Sequence, residues 1–394
     1  MKILMVLEVD FPPDIRVENE VTSLTDAGHE VIMACYSKKH PEAITHWRGC
    51  KIYKRQISEF TYKSSVGALR VPFYFHFWRK FLEEIIRSEK PDAIHIHDLP
   101  LAKLGLELKE RFAIPFILDL HENWPALLVL SEHTRSFLGR LLSSNAQWVR
   151  YEKRMCDDAD RVIVVIEEAK ERLSSLGIDP QKIHIVANYP VLDYFNSLQG
   201  KKEGQGKELI LFYAGGISLH RGLQYIIGAI PEIIKEIPGM KLWILGDGRY
   251  RKELDRRINE LKIWEHVEFF GQVPYKTVLE KLALADIALI PHVRSPHTDN
   301  TIPHKLFQYM YAGIPVISSD CAPIERILRK TAAGWVYPWN SSDAFADLVR
   351  SFKELRKEYD PERVRKIVEK EYSWEKAGKN LLQLYEGLST ESED

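Results

Sequence analysis

His121 leaves an apolar run in the order Asp119-Leu120-His121-Glu122-Asn123. An imidazole between carboxylates at a strand exit can donate to a substrate hydroxyl or help an incoming nucleophile. A lone histidine is usually structural; the polar neighbours here favour chemistry. Upstream stands His95-Ile96-His97-Asp98. Strand alternation sends both histidines to one side and leaves Asp98 at the exit, a set suited to acceptor binding or to a hydrogen-bonded support. No third ligand lies at short spacing, so no metal is expected. Arg16 follows Phe11-Pro12-Pro13-Asp14, a stiff loop into a helix, from which it can reach an anion across a cleft. A turn with a solvated Arg is the plainer alternative.

A second set suits anions. In Ala214-Gly215-Gly216-Ile217-Ser218-Leu219-His220-Arg221-Gly222, paired glycines let the backbone approach a ligand, and Arg221 can grip phosphate in a forked geometry. Gly246, in Leu245-Gly246-Asp247-Gly248, makes a narrow turn and by itself is a weak signal. Residues 299–308 join a polar loop to an apolar-periodic helix that starts after Pro303 and stops at Gly313. Backbone amides near Thr301 and Ile302, with the Lys305 ammonium, suit a diphosphate. Gln308, one turn in, can bond sugar hydroxyls; a solvated helix face is the alternative.

Such residues need a scaffold that gathers strand ends. Buried-type strands are expected at residues 3–9, 30–36, 93–97, 116–120, 161–166 and 182–187. A second series follows at 209–214, 241–245, 267–269, 287–290 and 316–318. Helical patterns lie between them, including a long amphipathic one at 66–87. This alternation implies parallel sheets with helices on both faces. Residues 197–208, Ser-Leu-Gln-Gly-Lys-Lys-Glu-Gly-Gln-Gly-Lys-Glu, form the best linker. The expected architecture is α/β: two Rossmann-like domains facing a cleft, residues 1–195 and 207–372. Ligands of open parallel sheets sit outside the carboxyl ends of strands, where these residues fall.

Composition narrows the classes. The 394 residues exceed one ordinary core, and 45% hydrophobic with 28% charged content describes a globular chain. A net charge of −1 argues against nucleic-acid binding through bulk charge. The four cysteines lack CxxC spacing and fit a reduced, cytoplasmic chain. The amino terminus reads as a strand rather than a signal peptide, and no run of about 18 apolar residues exists. No GxGxxG follows any strand and no Walker lysine motif occurs, which counts against nicotinamide, flavin and P-loop enzymes. Residues 389–394 read as a disordered acidic tail.

The ordered pieces include FPPDIRVENEV, HIHD, DLHENWP, YAGGISLHRGL, LGDG, PHKLFQYMYAGIPVISSD and YSWEKAGKNLL. Together they resemble the retaining GT-B glycosyltransferases of family 4 over nearly the whole chain. The resemblance implies an enzyme of the hexosyltransferase type. It would move a sugar from a nucleotide-diphosphate donor to a glycan or lipid-linked hydroxyl, with retention, no cofactor and no required metal, as in polysaccharide biosynthesis. His121, Arg221 and Lys305 are the expected catalytic residues. Gly215, Gly216, Gly246, Asn300, Thr301, Ile302, Gln308 and Glu325 fall on the donor side, and Arg16, Asp98 and Glu122 on the acceptor side. A closing helix from about 374 to 389 should cross back to the first domain. An epimerase, a glycosyl phosphorylase or a non-catalytic binder on the same fold are the alternatives.

Two departures stand out. Asn300 and Gln308 occupy positions where many members carry glutamates eight apart, and Gly216 replaces a usual basic residue, for which Arg294 or Lys305 would compensate. Residues 62–80 and 135–154 combine aromatics with Arg and Lys. They are read either as a peripheral contact with the inner face of a membrane or as ordinary helices covering the first sheet.

Overall fold

A computed structural model of the chain describes residues 1–38, 41–130, 144–193 and 208–391. It divides into two compact units: Met1–Asn188 with Ala377–Asp394, and Tyr189–Lys376.

The strands of the first unit, in chain order, are β1 (Lys2–Leu7), β2 (Glu30–Ser37), β3 (Ala43–Trp47), β4 (Cys50–Gln56), β5 (Ala93–His97), β6 (Phe116–Leu120), β7 (Arg161–Val164) and β8 (Ile183–Ile185). They pair in the order β3-β4-β2-β1-β5-β6-β7-β8. All pairings are parallel except that of β3 with β4. The inner strands are buried, and β1 and β2 are largely apolar runs as expected of a parallel sheet covered on both faces, whereas β5 and β6 carry the buried polar residues His95, His97 and Asp119. Strand order reverses between β1 and β5, so a crevice is expected at their carboxyl ends. Glu8 and Asp98 stand there.

The second unit carries β9 (Leu209–Ala214), β10 (Met240–Leu245), β11 (Val267–Gly271), β12 (Ile287–Ile290), β13 (Val316–Ser319) and β14 (Gly334–Tyr337). The order is β11-β10-β9-β12-β13-β14, all parallel. Its reversal lies between β9 and β12, which puts Gly215 and His292 at the second crevice. Helix Leu223–Glu236 buries Ile226, Ile227, Ile230 and Ile233 against this sheet. At about 1.5–3 kcal/mol for each buried side chain of this kind, that face anchors the glycine turn just before it.

Several expectations change. The amphipathic pattern at 66–87 becomes a helix only from Phe73, because Pro72 lacks the N–H to continue an earlier turn. The β3–β4 hairpin and β14 lacked a strand signal; β3 is an exposed edge strand with mixed polarity. The closing helix runs over Trp374–Glu391, so residues 389–391 are helical rather than a disordered tail. Within the first unit, Tyr385 of this helix meets His95, and Asn380 Nδ2 donates to the Ile185 carbonyl at 3.0 Å. The linker at 197–207 and the stretch 135–143 lie outside the described residues. No helix among the described residues is long and apolar enough to cross a membrane.

Candidate functional site

In the first unit a buried polar cluster sits under the sheet's carboxyl edge. Residues 95 and 97 share a face of β5 by alternation, and the parallel register sets His97 beside Asp119 of β6. Arg16 and Glu20, one turn apart on helix Ile15–Asp26, project into the same layer. Asp119 is the hub. Arg16 Nη2 donates to its two oxygens at 2.8 and 2.9 Å, and His121 Nε2 lies 3.0 Å from Oδ2. Burial alone would raise the Asp119 pKa; Arg16 and His121 outweigh it and hold the carboxyl well below its usual value.

His121 stands at the outer end of this cluster. Its Nε2 faces inward to Asp119 and to His97 Nδ1, 3.1 Å away, while Nδ1 lies 3.6 Å from Asp98 Oδ2. Burial disfavours its charge, but Asp98 and Asp119 prevail and raise the imidazole to about 9. His95 and His97 are driven the other way, chiefly by burial, and stay neutral. Asp98 has φ of 67°, unusual for a side chain with a Cβ, and its backbone N donates to the Asp119 carbonyl at 2.8 Å. Burial raises its carboxyl. Glu122, expected on the acceptor side, is exposed beside His121.

Arg16 corrects its expected role. It is 4% exposed and faces inward, bonded to Asp119, to the Val186 carbonyl and to Asn188 Oδ1, both at 2.8 Å, with Glu20 at 3.0 Å. It does not reach toward an acceptor anion; it is the counter-ion of a buried carboxylate. Glu20, His95, His97 and Asp119 are the described residues that offer metal-ligand atoms within 4.8 Å of one another. Arg16 Nη2 already supplies positive charge to both carboxylates of that set, which lowers the attraction for a second cation.

Glu8 was not legible as a site residue. It leaves β1 toward the same edge, accepts from the Tyr74 hydroxyl, and is raised to about 7 by burial, against that bond and aided by Asp98. An acidic residue ending a first strand gives little sequence signal; only the neighbouring strand ends make it notable.

The second unit gathers the anion set. Gly215, φ 147°, follows β9, and its N–H donates to the Leu245 carbonyl at 2.8 Å. Gly246 must be glycine: a Cβ there would lie 2.0 Å from the Gly215 carbonyl oxygen. A cavity of about 370 Å³ opens at this turn, lined by Gly215, Gly216, Gly246, Asp247, Gln272 and Val273 among others. Lys305 Nζ donates to the Ala214 carbonyl at 3.2 Å, lies 4.2 Å from the Tyr213 ring centroid, and sits 3.3 Å from where a Gly215 Cβ would be. Burial, then Arg221, push its ammonium well below the usual lysine value.

Arg221 Nη1 donates to His292 Nε2 at 2.8 Å. His292 follows β12, is buried, and is held neutral by burial and by Arg221. Ser319 Oγ donates to the His292 carbonyl at 2.6 Å and fixes that loop. Burial and Arg221 also lower His220 to about 4; burial, His220 and Arg221 lower His297 to about 4. The site thus concentrates positive potential that an anion would relieve.

The other expected donor residues divide. Helix His304–Tyr311 begins after its N-cap Pro303, so Thr301 and Ile302 lie just before it and their amides are not helix amides. Gln308 is half-buried on that helix. Asn300 Nδ2 turns back to the Pro296 carbonyl at 2.8 Å, and Glu325 pairs with Arg329 along its own helix. Arg294 pairs with Asp299 and Asp320, so Lys305 is the cation at the glycine turn.

Two family models match the chain: Glycosyltransferase Family 4 over residues 15–189 and Glycosyl transferases group 1 over residues 196–374. An uncharacterized glycosyltransferase of Methanocaldococcus jannaschii is 26% identical, over 98% of this chain and 98% of its own length. The phosphatidyl-myo-inositol mannosyltransferase of Mycolicibacterium smegmatis is 24% identical over 99% of this chain and 94% of its own. The Anabaena protein HepE, solved in complex with UDP, shares the fold with a TM-score of 0.70 at 14% identity, over 99% of this chain and 100% of that one.

Proposed function

Because this chain belongs to the GT-B glycosyltransferases of the family 4 type and transfers sugar from a nucleotide-diphosphate donor, we propose that it moves a hexose onto a glycan or lipid-linked hydroxyl with retained anomeric configuration, through the two residue sets above. The observation that carries this reading is the Gly215–Gly216 turn, with Lys305 Nζ against it and Arg221 fixed by His292. UDP in the HepE complex supports a nucleoside diphosphate as the group bound there.

The chemistry asks for positive charge at the leaving group. As the bond from C1 to the diphosphate oxygen breaks, its electron pair stays on the phosphate. Arg221, Lys305 and the amides near Thr301 and Ile302 are assigned to that charge; donors held there before the bond breaks would favour the transition state over the ground state. Arg221 and Lys305 supply this charge without a metal; a chelator should leave turnover unchanged. Gln308 is assigned to the donor's hydroxyls as an uncharged partner. Asn300 and Glu325 join the site only if their present pairings open.

His121 presents an imidazolium Nδ1–H beside Asp98, a donor–acceptor pair suited to sugar hydroxyls. Glu8 and Glu122 extend that face. The acceptor oxygen forms the new bond to C1 as its proton passes to the departing diphosphate oxygen, because the His121 imidazolium is already protonated. Peripheral membrane contact narrows to a smaller patch than the sequence suggested. Tyr74, Phe75 and Trp78 are core, whereas Phe60 and Phe73 are 67% and 53% exposed with rings 5.5 Å apart. Arg70 and Lys63 stand near them in sequence, and such a patch suits the inner face of an anionic membrane. Co-sedimentation with vesicles that ignores anionic lipid would count against this contact.

The test of the whole reading is thermal stabilisation by UDP and GDP, followed by NMR of the product anomer. Each bound diphosphate should raise the melting temperature by mass action. Absence of stabilisation by any nucleoside diphosphate defeats the donor assignment; an inverted product defeats retention.

A further inference from the structure

One carboxylate oxygen organises the buried cluster. Asp119 Oδ2 lies 2.9 Å from Arg16 Nη2, 3.0 Å from His121 Nε2, 3.4 Å from His97 Nδ1 and 3.6 Å from His95 Nε2. His95 Nδ1 is 2.8 Å from the Tyr385 hydroxyl of the closing helix. A phenol donating to Nδ1 leaves the His95 proton on Nε2, facing Asp119. His95, His97 and Asp119 are fully buried, and no solvent competes for these contacts.

We propose that Asp119 is a positioning residue for His121. Clamped by Arg16 and backed by the Tyr385–His95 pair, it holds His121 Nε2–H inward and turns Nδ1–H toward Asp98 and the acceptor. This rests on the reading of His121 as an acceptor-side group. The geometry explains why a histidine outside the strand needs so much buried polar structure behind it. With Nε2 tied to Asp119, the ring cannot flip, and the nitrogen left for substrate is fixed. Arg16 keeps Asp119 ionised and cannot itself lose its proton, so the clamp persists across the working pH range.

The groups facing His121 are Asp98 beside Nδ1, Asp119 and His97 beside Nε2, and Arg16, Glu20 and His95 in the layer below. Burial and Arg16 oppose its charge, Asp98 and Asp119 favour it, the neutral His95 and His97 add no charge of their own, and Glu20, raised to about 8 chiefly by burial, contributes least at neutral pH. Loss of Asp119 therefore removes one of two carboxylates that sustain the imidazolium.

The experiment is Asp119→Asn, read by NMR titration of the His121 ring and by the pH profile of kcat/KM. The His121 titration should fall from about 9 toward the ordinary 6.5. At pH 8 turnover should then drop on the order of 30-fold, while at pH 6 the loss should be about 2-fold or less, since acid restores the cation. A merely structural defect would cost the same at both pH values. Should Asp119→Asn fail to fold, Tyr385→Phe carries the same readout with one oxygen removed. It should shift the His95 tautomer and move the alkaline limb in the same direction by less. An unshifted His121 titration in either folded variant overturns the chain. A shifted titration with unchanged turnover upholds the positioning and removes His121 from the reaction, so the two readings fail separately.

Discussion

Arg221 and His292, 71 residues apart, are joined by a 2.8 Å hydrogen bond from Nη1 to Nε2 across the ends of β9 and β12. A histidine can accept from a guanidinium only while neutral, and burial beside Arg221 keeps it so. The bond therefore orients a fixed cation at the reversal of the sheet without cancelling its charge.

Arg221→Ala should weaken UDP or GDP binding by roughly 10- to 100-fold, the range of a charged hydrogen bond of about 1.5–3 kcal/mol. Arg221→Lys should recover only part of this, because a lysine lacks the fork that holds both His292 and a phosphate. Calorimetric titration with the diphosphate checks both; unchanged affinity in Arg221→Ala would remove it from the site.

Donor binding should take up a proton. Lys305 is held well below its usual value by burial and Arg221, and a diphosphate would raise it again. Between the free and bound values the complex binds more protons than its parts, so affinity falls as pH rises. Calorimetry in buffers of different ionisation heat measures the uptake. Lys305→Met should abolish it, and an equal uptake in that variant would exclude Lys305 as its source.

Glu8 should govern an acid limb. Its folded value of about 7 lies above the reference 4.5, so the folded state holds its proton more tightly. The stability it contributes is full below 4.5 and is lost as pH rises through about 7. Glu8→Gln should thus match the parent's melting temperature at pH 4 and exceed it at pH 8. If the acceptor needs the carboxylate, the same variant also loses the limb of kcat/KM near 7. A melting difference that does not depend on pH would contradict the assignment.

Two neighbouring glycines should behave oppositely. Gly222 has φ of 73°, and a Cβ there would stand 1.6 Å from the Pro291 carbonyl oxygen. Gly222→Ala should cost more than the ~1–2 kcal/mol of a left-handed alanine, and should displace His292 as well. Around Gly216 nothing lies within 4 Å of an added Cβ, so Gly216→Ala should be nearly neutral for folding. Urea midpoints decide between these outcomes.

Arg16→Met should be among the most damaging single changes. It leaves the Asp119 carboxylate buried without its cation, a loss of about 3–5 kcal/mol where one partner of a buried pair is removed. A midpoint shift below about 1 kcal/mol would show that the cluster reorganises around the gap.

Much of the scaffold was legible. The apolar runs at β9 and β12 carry their own boundaries, because strands buried on both faces are nearly continuously apolar, while β5 and β6 stood out by the polar residues His95, His97 and Asp119 set into theirs. Gly215 and Arg221 stood out as a glycine turn followed by an arginine, whereas Gly246 gave only a weak signal, although the close approach of the Gly215 carbonyl admits only glycine there. The hairpin β3–β4 was not legible, since an edge strand needs no continuous apolar face. Nor was the inward turn of Arg16, which depends on a carboxylate about 100 residues away.

What the amino-acid sequence determined by itself is the alternation of elements and the residue types that end each strand, because periodicity and glycine geometry are local. What only the tertiary structure decided is which of those ends meet. The register that sets His97 beside Asp119, the helix that brings Tyr385 to His95, and the crossing that joins Arg221 to His292 all involve residues far apart in the chain. Their charges and proton positions follow from burial and from one another, and neither exists until the sheets are formed.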